Sequence, residues 1–393
     1  MIPKVILSSG KDQSPRRFHP WIFSGAIKKI KGEVAEGMIV EVVSNHDEPL
    51  GIGHYANGSI AVRIFSFENK EIDQHFWNTR IQKAYQFRKD AGLINNEATN
   101  TYRLIHAEGD GLPGLIVDIY ADTAVIQSHS TGMHLIKNEL VAALKEVYGN
   151  SLKAIYDKSA DTMPSIPGVE ITNQILWGKP ESEYVLEHGL KFKIDWEQGQ
   201  KTGFFIDQRE NRKLLQKYSA GKKVLNTFCY SGGFSVYALA AGAQLVHSVD
   251  SSKKAIVLTD ENVKLNFGET EKHQSFAVDT FNFLEHAEEK YDVIILDPPA
   301  FAKHHNVKHN AVQGYKRLNA EAIRRINPGG VIFTFSCSQA VDKYLFHNTV
   351  MSAAIQAGRE VRILEYMSQP VDHAPSIFHP EGEYLKGIVI KVY

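Results

Sequence analysis

Two cysteines in a chain of 393 residues are too few for a disulfide framework or a cysteine-rich zinc site. That scarcity suits a reducing compartment. Excess charge is missing as well. The formal net charge is −1, so no global basic field points to a nucleic-acid partner, and such binding needs local patches. No run approaches the roughly 18 apolar residues of a membrane helix. The opening MIPKVILSSGKDQSPRR breaks its apolar stretch too soon for a signal peptide. These absences set the expectation of a cytoplasmic protein with no membrane partner. Low-complexity segments and clear internal repeats are absent too. What remains is an ordinary soluble composition, 43% hydrophobic and 23% charged, in a chain too long for one core. Two or three domains are expected.

Three textures follow one another. Residues 1–72 hold short β-branched runs, GMIVEVVSN, PLGIGHYA and SIAVRIFSF, separated by HDEP and NG turns, which predict a small, partly closed β-barrel. Residues 73–185 read as an α+β module. There DQHFWNTRIQKAYQFRKDAGL carries Phe76, Ile81, Ala84 and Phe87 at helical spacing, and MHLIKNELVAALKEVY predicts a second amphipathic helix. Residues 186–393 alternate strands and helices after a hairpin, YVLEHGLKFKIDW, and close on two strands expected to pair antiparallel at the sheet edge. That alternation predicts an α/β fold with right-handed crossovers and a mostly parallel, Rossmann-like sheet. In such sheets ligands bind beyond the carboxyl ends of the strands.

Four strand ends carry chemistry. The first ends NTFCYSGGF, where Gly232 and Gly233 let a ligand approach the backbone. The second ends at Asp250, able to accept both hydroxyls of a ribose. The third ends at Asp279, placed to meet an adenine amino group. The fourth ends in LDPPAF, Asp297 to Phe301. A dinucleotide site lacks its third glycine here, and a P-loop lacks its lysine and Ser/Thr. A ligand with ribose and adenine but no phosphate fits, and S-adenosylmethionine is that ligand. Each acidic residue alone reads equally as a cap or a solvated charge; the four strand ends in order point to a methyltransferase. Pro298 and Pro299 force a rigid, extended turn that can fix Asp297 around a flat base. Ala300 stands where amine methyltransferases often place an aromatic, and Phe301 comes one residue later, which argues against amine methylation.

FTFSCSQAVD then puts Cys337 at the end of the next strand, flanked by Ser336 and Ser338. Most cysteines are buried and inert. Beside a DPP turn in a methyltransferase, one reaction suits this thiol: methylation of C5 of a pyrimidine. A thiolate adding at C6 pushes electron density onto C5. Asp297 is expected to hydrogen-bond the base at N3 or N4 as charge builds on the ring. Cys229 reads as a packing residue in the cofactor loop.

At this point the chain resembles the RlmI-like ribosomal RNA large-subunit methyltransferases, class I enzymes with an N-terminal PUA domain. HPWIFSGAI, EGDGLPGLIVDIY, KTGFFIDQRENR, VLNTFCYSGGFSVYAL, LDPPAFAK, GYKRLN, FSCS and PEGEYLKG carry the resemblance over nearly the whole length. It implies a PUA-like, RNA-binding barrel over 1–72, a central α+β domain over 73–185 and the methyltransferase domain over 186–393. It also implies formation of 5-methylcytosine in large-subunit (23S) ribosomal RNA. It carries the nucleophile to Cys337 and cofactor contacts to Thr227, Phe228, Ser231, Gly232, Gly233, Asp250 and Asp279. Asp207 and Gln208 go to the methionine end of the cofactor, where FFIDQREN alone reads only as a capped helix start. Many relatives place a second cysteine where this chain has Ala300, so the acceptor of the C5 proton is unassigned.

On the substrate side stand Pro298, Pro299 and Phe301, with RNA contacts expected from Arg16 and Arg17, from Lys28–Lys31 and from KHHNVKH after the DPP turn. Each basic cluster taken singly reads more readily as a solvated face. His305 and His309 have metal-like spacing but no carboxylate or thiol nearby, so no metal is expected. The oligomeric state is open, with a homodimer as one option. Two rival functions are a methyltransferase acting on another RNA atom or on protein without Cys337, and a non-catalytic RNA-binding protein. A nicotinamide enzyme is more distant.

Overall fold

The computed structural model describes residues 2–163, 171–301 and 308–393. The chain divides into two compact units. One holds Met1–Val185, Ile194–Phe204 and Val371–Gly382; the other holds Leu186–Lys193, Phe205–Pro370 and Glu383–Tyr393. No helix among the described residues is long and apolar enough to cross a membrane.

In the first unit, Lys4–Leu7, Trp21–Phe23, Ile27–Lys31, Ile39–Val43, Pro49–Tyr55 and Ile60–Ser66 form a six-stranded sheet. It curls around Val5, Leu7, Ile22, Val40, Val42, Val62 and Ile64. A five-stranded sheet follows, built from Thr101–His106, Leu115–Tyr120, Thr123–Ser128, Ala154–Asp157 and Gln174–Gly178. The helix Gln74–Asp90 starts at Asp73, whose carboxylate accepts from the Phe76 amide at 2.9 Å. Its buried face differs from the expected one. Trp77, Ile81, Ala84 and Arg88 face inward with Phe76, and Phe87 is 40% exposed. The reason is polar. Arg88 is buried because its guanidinium meets the Asp110 carboxylate and donates to the carbonyls of Arg103 and Asp372, both at 2.8 Å. The Phe87 ring then lies over that cation.

The second unit is an α/β sandwich. Its sheet strands are β1 Lys223–Thr227, β2 Leu245–Asp250, β3 His273–Ala277, β4 Val293–Leu296, β5 Val331–Ser336, β6 Val361–Ser368 and β7 Lys386–Val392. The spatial order is β3-β2-β1-β4-β5-β7-β6. Strands β1 to β5 are parallel, and β7 runs antiparallel between β5 and β6. Every residue of VIIL and VIFTFS is buried, as expected of strands covered on both faces. Alternate residues supply opposite cores. Val224, Val293, Ile295 and Phe333 face helices α1 Arg209–Ser219 and α2 Gly233–Ala240. Leu225, Ile294, Leu296 and Ile332 share the other core with Tyr315, Leu318 and Ile323 of α5 Lys308–Arg325 and with Phe346 and Val350 of α6 Lys343–Ala357. Between these lie α3 Lys253–Phe267 and α4 Thr280–His286.

Candidate active site

The carboxyl ends of β1 to β5 share one rim of this sheet. The loop after β1 is held in a costly backbone shape. Phe228 (φ 54°), Tyr230 (φ 48°) and Gly232 (φ 74°) are all left-handed. For the two non-glycine residues that conformation costs roughly 1–2 kcal/mol each. Such strain persists only where the surroundings enforce it, and they do. The Tyr230 amide donates to Asp250 Oδ2 at 3.0 Å, the Thr259 hydroxyl to the Tyr230 carbonyl at 2.9 Å, and the Asn262 amide to the Ser231 carbonyl at 2.9 Å. A Cβ on Gly232 would lie 2.7 Å from Thr259 Cγ2 and 3.2 Å from its Cα. Gly232→Ala is therefore expected to lose about 2 kcal/mol of stability and to bind S-adenosylhomocysteine about tenfold more weakly, as calorimetric titration would show.

The other expected contacts sit as follows. Thr227 is buried and donates its hydroxyl to the Ile295 carbonyl of β4 at 2.7 Å. Gly233 opens α2, and a Cβ there would meet Arg212 Cδ at 2.9 Å. Asp250 ends β2, and its Oδ1 accepts from the Ser252 amide at 2.9 Å. Asp279 is exposed and caps α4, with Oδ1 accepting from the Asn282 amide at 3.0 Å. Asp207 and Gln208 lie buried in a turn of 3-10 helix ahead of α1. The Tyr384 hydroxyl donates to Asp207 Oδ2 at 2.6 Å, and Asn211 donates to Gln208 Oε1 at 2.6 Å.

Asp297 follows the last residue of β4, and Cys337 the last residue of β5. The register pairs Leu296 with Thr334, so Cys337 stands two residues beyond the level of Asp297 on a neighbouring strand. Both are half-buried, as is Phe301; Pro298 is buried and Pro299 exposed. Tyr315 of α5 connects them. Its ring meets Phe301 edge-on at 4.8 Å. Burial pushes its phenol well up, and the charges of Cys337 and Asp297 push the same way. The two thiols contrast. Cys229 is buried, and burial pushes it up to about 12; Cys337 is partly exposed.

The S-adenosylmethionine-dependent methyltransferase family matches residues 170–375, and the PUA-like domain family matches residues 5–67. The ribosomal RNA large subunit methyltransferase I of Aeromonas hydrophila is 39% identical over 399 residues, covering 100% of both chains. The protein of the same name from Pseudoalteromonas atlantica is 40% identical over 398 residues, again covering 100% of both. The chain belongs to this family of S-adenosylmethionine-dependent methyltransferases. In agreement, the crystal structure of SMU.776, described as a methyltransferase complexed with SAH, superimposes with a TM-score of 0.85 at 25% identity, over 100% of both chains.

The rim of this methyltransferase suits its cofactor. Each Asp250 oxygen accepts one backbone amide, and a carboxylate offers about four lone-pair sites. Room remains for two ribose hydroxyls. Asp279 caps its helix through one oxygen, which leaves the other for an amino group. Sequence reading missed Tyr315 and Lys386, whose partners lie on other elements. The ammonium of Lys386, on β7, donates to the carbonyls of Ser338 at 2.6 Å and Val341 at 2.7 Å, on the loop that follows Cys337.

In the first unit, Arg16 is ion-paired with Asp12 at 2.7 Å and with Glu48, and Arg17 is exposed. Lys28, Lys29 and Lys31 point outward from their strand. His305 lies outside the described residues. Among those described, one group has metal-ligating composition: His19, His379 and Glu381. His19 Nδ1 accepts from the Trp21 amide at 3.2 Å, so the neutral ring carries its proton on Nε2, 3.5 Å from the Glu381 carboxylate. That is an ordinary histidine–carboxylate pair.

Proposed function

We propose that this methyltransferase acts on large-subunit ribosomal RNA and forms 5-methylcytosine, with Cys337 as the nucleophile. The substrate class rests on the names of the full-length relatives and on the PUA-like domain. The atom rests on one observation. Cys337 ends the strand beside the one that presents Asp297, on the rim that carries the cofactor loop. The Cys337 thiolate adds to C6 of the flipped-out base, which makes C5 electron-rich. When bound, the cofactor supplies an electrophilic methyl group. Asp297, steadied by the Pro298–Pro299 turn, hydrogen-bonds the base at N3 or N4 while charge builds on the ring. The C5 proton then passes to water, and the electron pair it leaves re-forms the C5–C6 double bond as the thiolate departs. Thr227, Phe228, Ser231, Gly232, Gly233, Asp250 and Asp279 hold the nucleoside part of the cofactor, and Asp207 and Gln208 its methionine end. Phe301 contacts the base, and Arg16 and Arg17 contact phosphate. A large-subunit ribosomal RNA substrate fits a cytoplasmic location.

RNA carrying 5-fluorocytosine tests the reading, because fluorine blocks the last proton loss. The expected product is a covalent protein–RNA adduct whose RNA-bearing peptide contains Cys337. Methyl transfer with no trapped adduct would move the reaction to another atom. RNA retention with no transfer would leave a binding protein.

A further inference from the structure

Lys386 is a buried cation without a carboxylate partner among the described residues. The residue is 6% exposed, and its ammonium donates to two carbonyls, Ser338 at 2.6 Å and Val341 at 2.7 Å. Carbonyl dipoles satisfy hydrogen-bonding capacity but leave the charge uncompensated, and an uncompensated buried charge is costly. No carboxylate among the described residues forms an ion pair with it. The acids whose charges act on it have other partners. Glu383 pairs with Lys343 at 2.8 Å, and Asp342 caps α6 through the Leu345 amide at 2.9 Å. The strand register explains the placement. Lys386 lies opposite Ser336 in the β5–β7 pair, so its side chain runs beside the turn that opens with Cys337. An ammonium has three donors, and the two carbonyls take two of them.

We propose that Lys386 is the positioning residue of the methyl-transfer site, its ammonium holding Cys337 as the thiolate and fixing the turn that carries it. The thiol proton passes to solvent, and Lys386 stays protonated throughout. This rests on the reading of Cys337 as the nucleophile. The surrounding charges agree with it. Burial pulls the lysine below its ordinary range, while the charge on Cys337 leads those of Glu383 and Asp342 in holding it up, and Lys343 opposes them. From α5, Tyr315 feels the charges of Cys337 and Asp297, which push its phenol up as burial does. Its buried phenol stays neutral, and Lys386 brings a cation to the turn that carries the sulfur.

Iodoacetamide alkylation of Cys337, followed by peptide mass across a range of pH, tests this without RNA or cofactor. In Lys386→Gln the charge is lost while an amide donor remains, one bond shorter than the ammonium. The expected result is an alkylation midpoint moved to higher pH, with the rate at pH 7 lowered about tenfold and the high-pH plateau retained. Lys386→Arg is expected to restore much of the loss. A midpoint unchanged in Lys386→Gln would overturn the proposal, even if methyl transfer fell. Should that variant not fold, the native protein decides: a midpoint at or above about 8.5, the value of an ordinary thiol, would overturn it equally. If Cys337→Ala kept full methyl transfer, the nucleophile reading would fall while the alkylation result stood on its own.

Discussion

Cys337→Ala is expected to lower methyl transfer by about 10⁴-fold or more, the scale on which deletion of a covalent nucleophile acts, while S-adenosylhomocysteine still binds. The separation follows from position. Cys337 follows β5, whereas the strained loop and Asp250 belong to β1 and β2, which lie beyond β4 in the sheet. Removing the sulfur leaves the Lys386 ammonium bonded to the Ser338 and Val341 carbonyls but without its counter-charge, so some stability should be lost along with activity. Cys337→Ser keeps the shape of the site but replaces a thiolate with a hydroxyl that scarcely ionises, and should be nearly as inactive. Single-turnover transfer to ribosomal RNA, with calorimetry for the cofactor, reads both quantities. A variant retaining a tenth of native activity would remove the covalent step from the mechanism.

The largest effect on stability should come from Arg212→Met. Arg212 and Glu187 are 2% and 0% exposed, and two bonds of 2.7 Å join the guanidinium to the carboxylate. Arg212 also donates to the Phe205 carbonyl at 2.9 Å, just ahead of the turn that holds Asp207. The Tyr237 hydroxyl adds a bond of 3.0 Å to Glu187. Removing the cation strands a buried carboxylate, at a cost of about 3–5 kcal/mol. All four tryptophans, Trp21, Trp77, Trp177 and Trp196, lie in the other unit, so tryptophan fluorescence is blind to this loss. Amide exchange in β1 and β2 should speed up by roughly 10² to 10³-fold. A second change, Glu187→Gln, should recover part of it, because the stranded charge is gone. Unchanged exchange in the single variant would show that the pair is dispensable.

These pairs mark where the sequence stops being legible. Alternating apolar runs revealed the parallel sheet and its order of chemistry, because each strand buries both faces and ends where the hydrophobic run stops. Asp250, Asp279, Asp297 and Cys337 could be placed on the rim by that rule alone. What a side chain meets across the sheet is another matter. Lys386 reads as one polar residue in EYLKGIVIKVY, an exposed edge by pattern. It is buried because β7 runs inside the sheet, between β5 and β6. Arg212 and Glu187 are 25 residues apart and look like solvent-facing charges on a helix and a hairpin. Phe87, expected on the buried face, yields it to Arg88 for the same reason: the partner that buries an arginine, Asp110, lies 22 residues on. Periodicity reports how a segment meets a generic core, and a buried charge depends on one specific counterpart.

The inner position of β7 has a consequence for synthesis. Residues 386–392 are made after the other six strands, yet they pair on both sides. Until they leave the ribosome, β5 and β6 each present an open backbone edge, the kind that recruits unwanted strands. The nascent chain carries Asp297 and Cys337 well before the strand that completes their sheet, so maturation of that sheet waits on translation of residues 386–392.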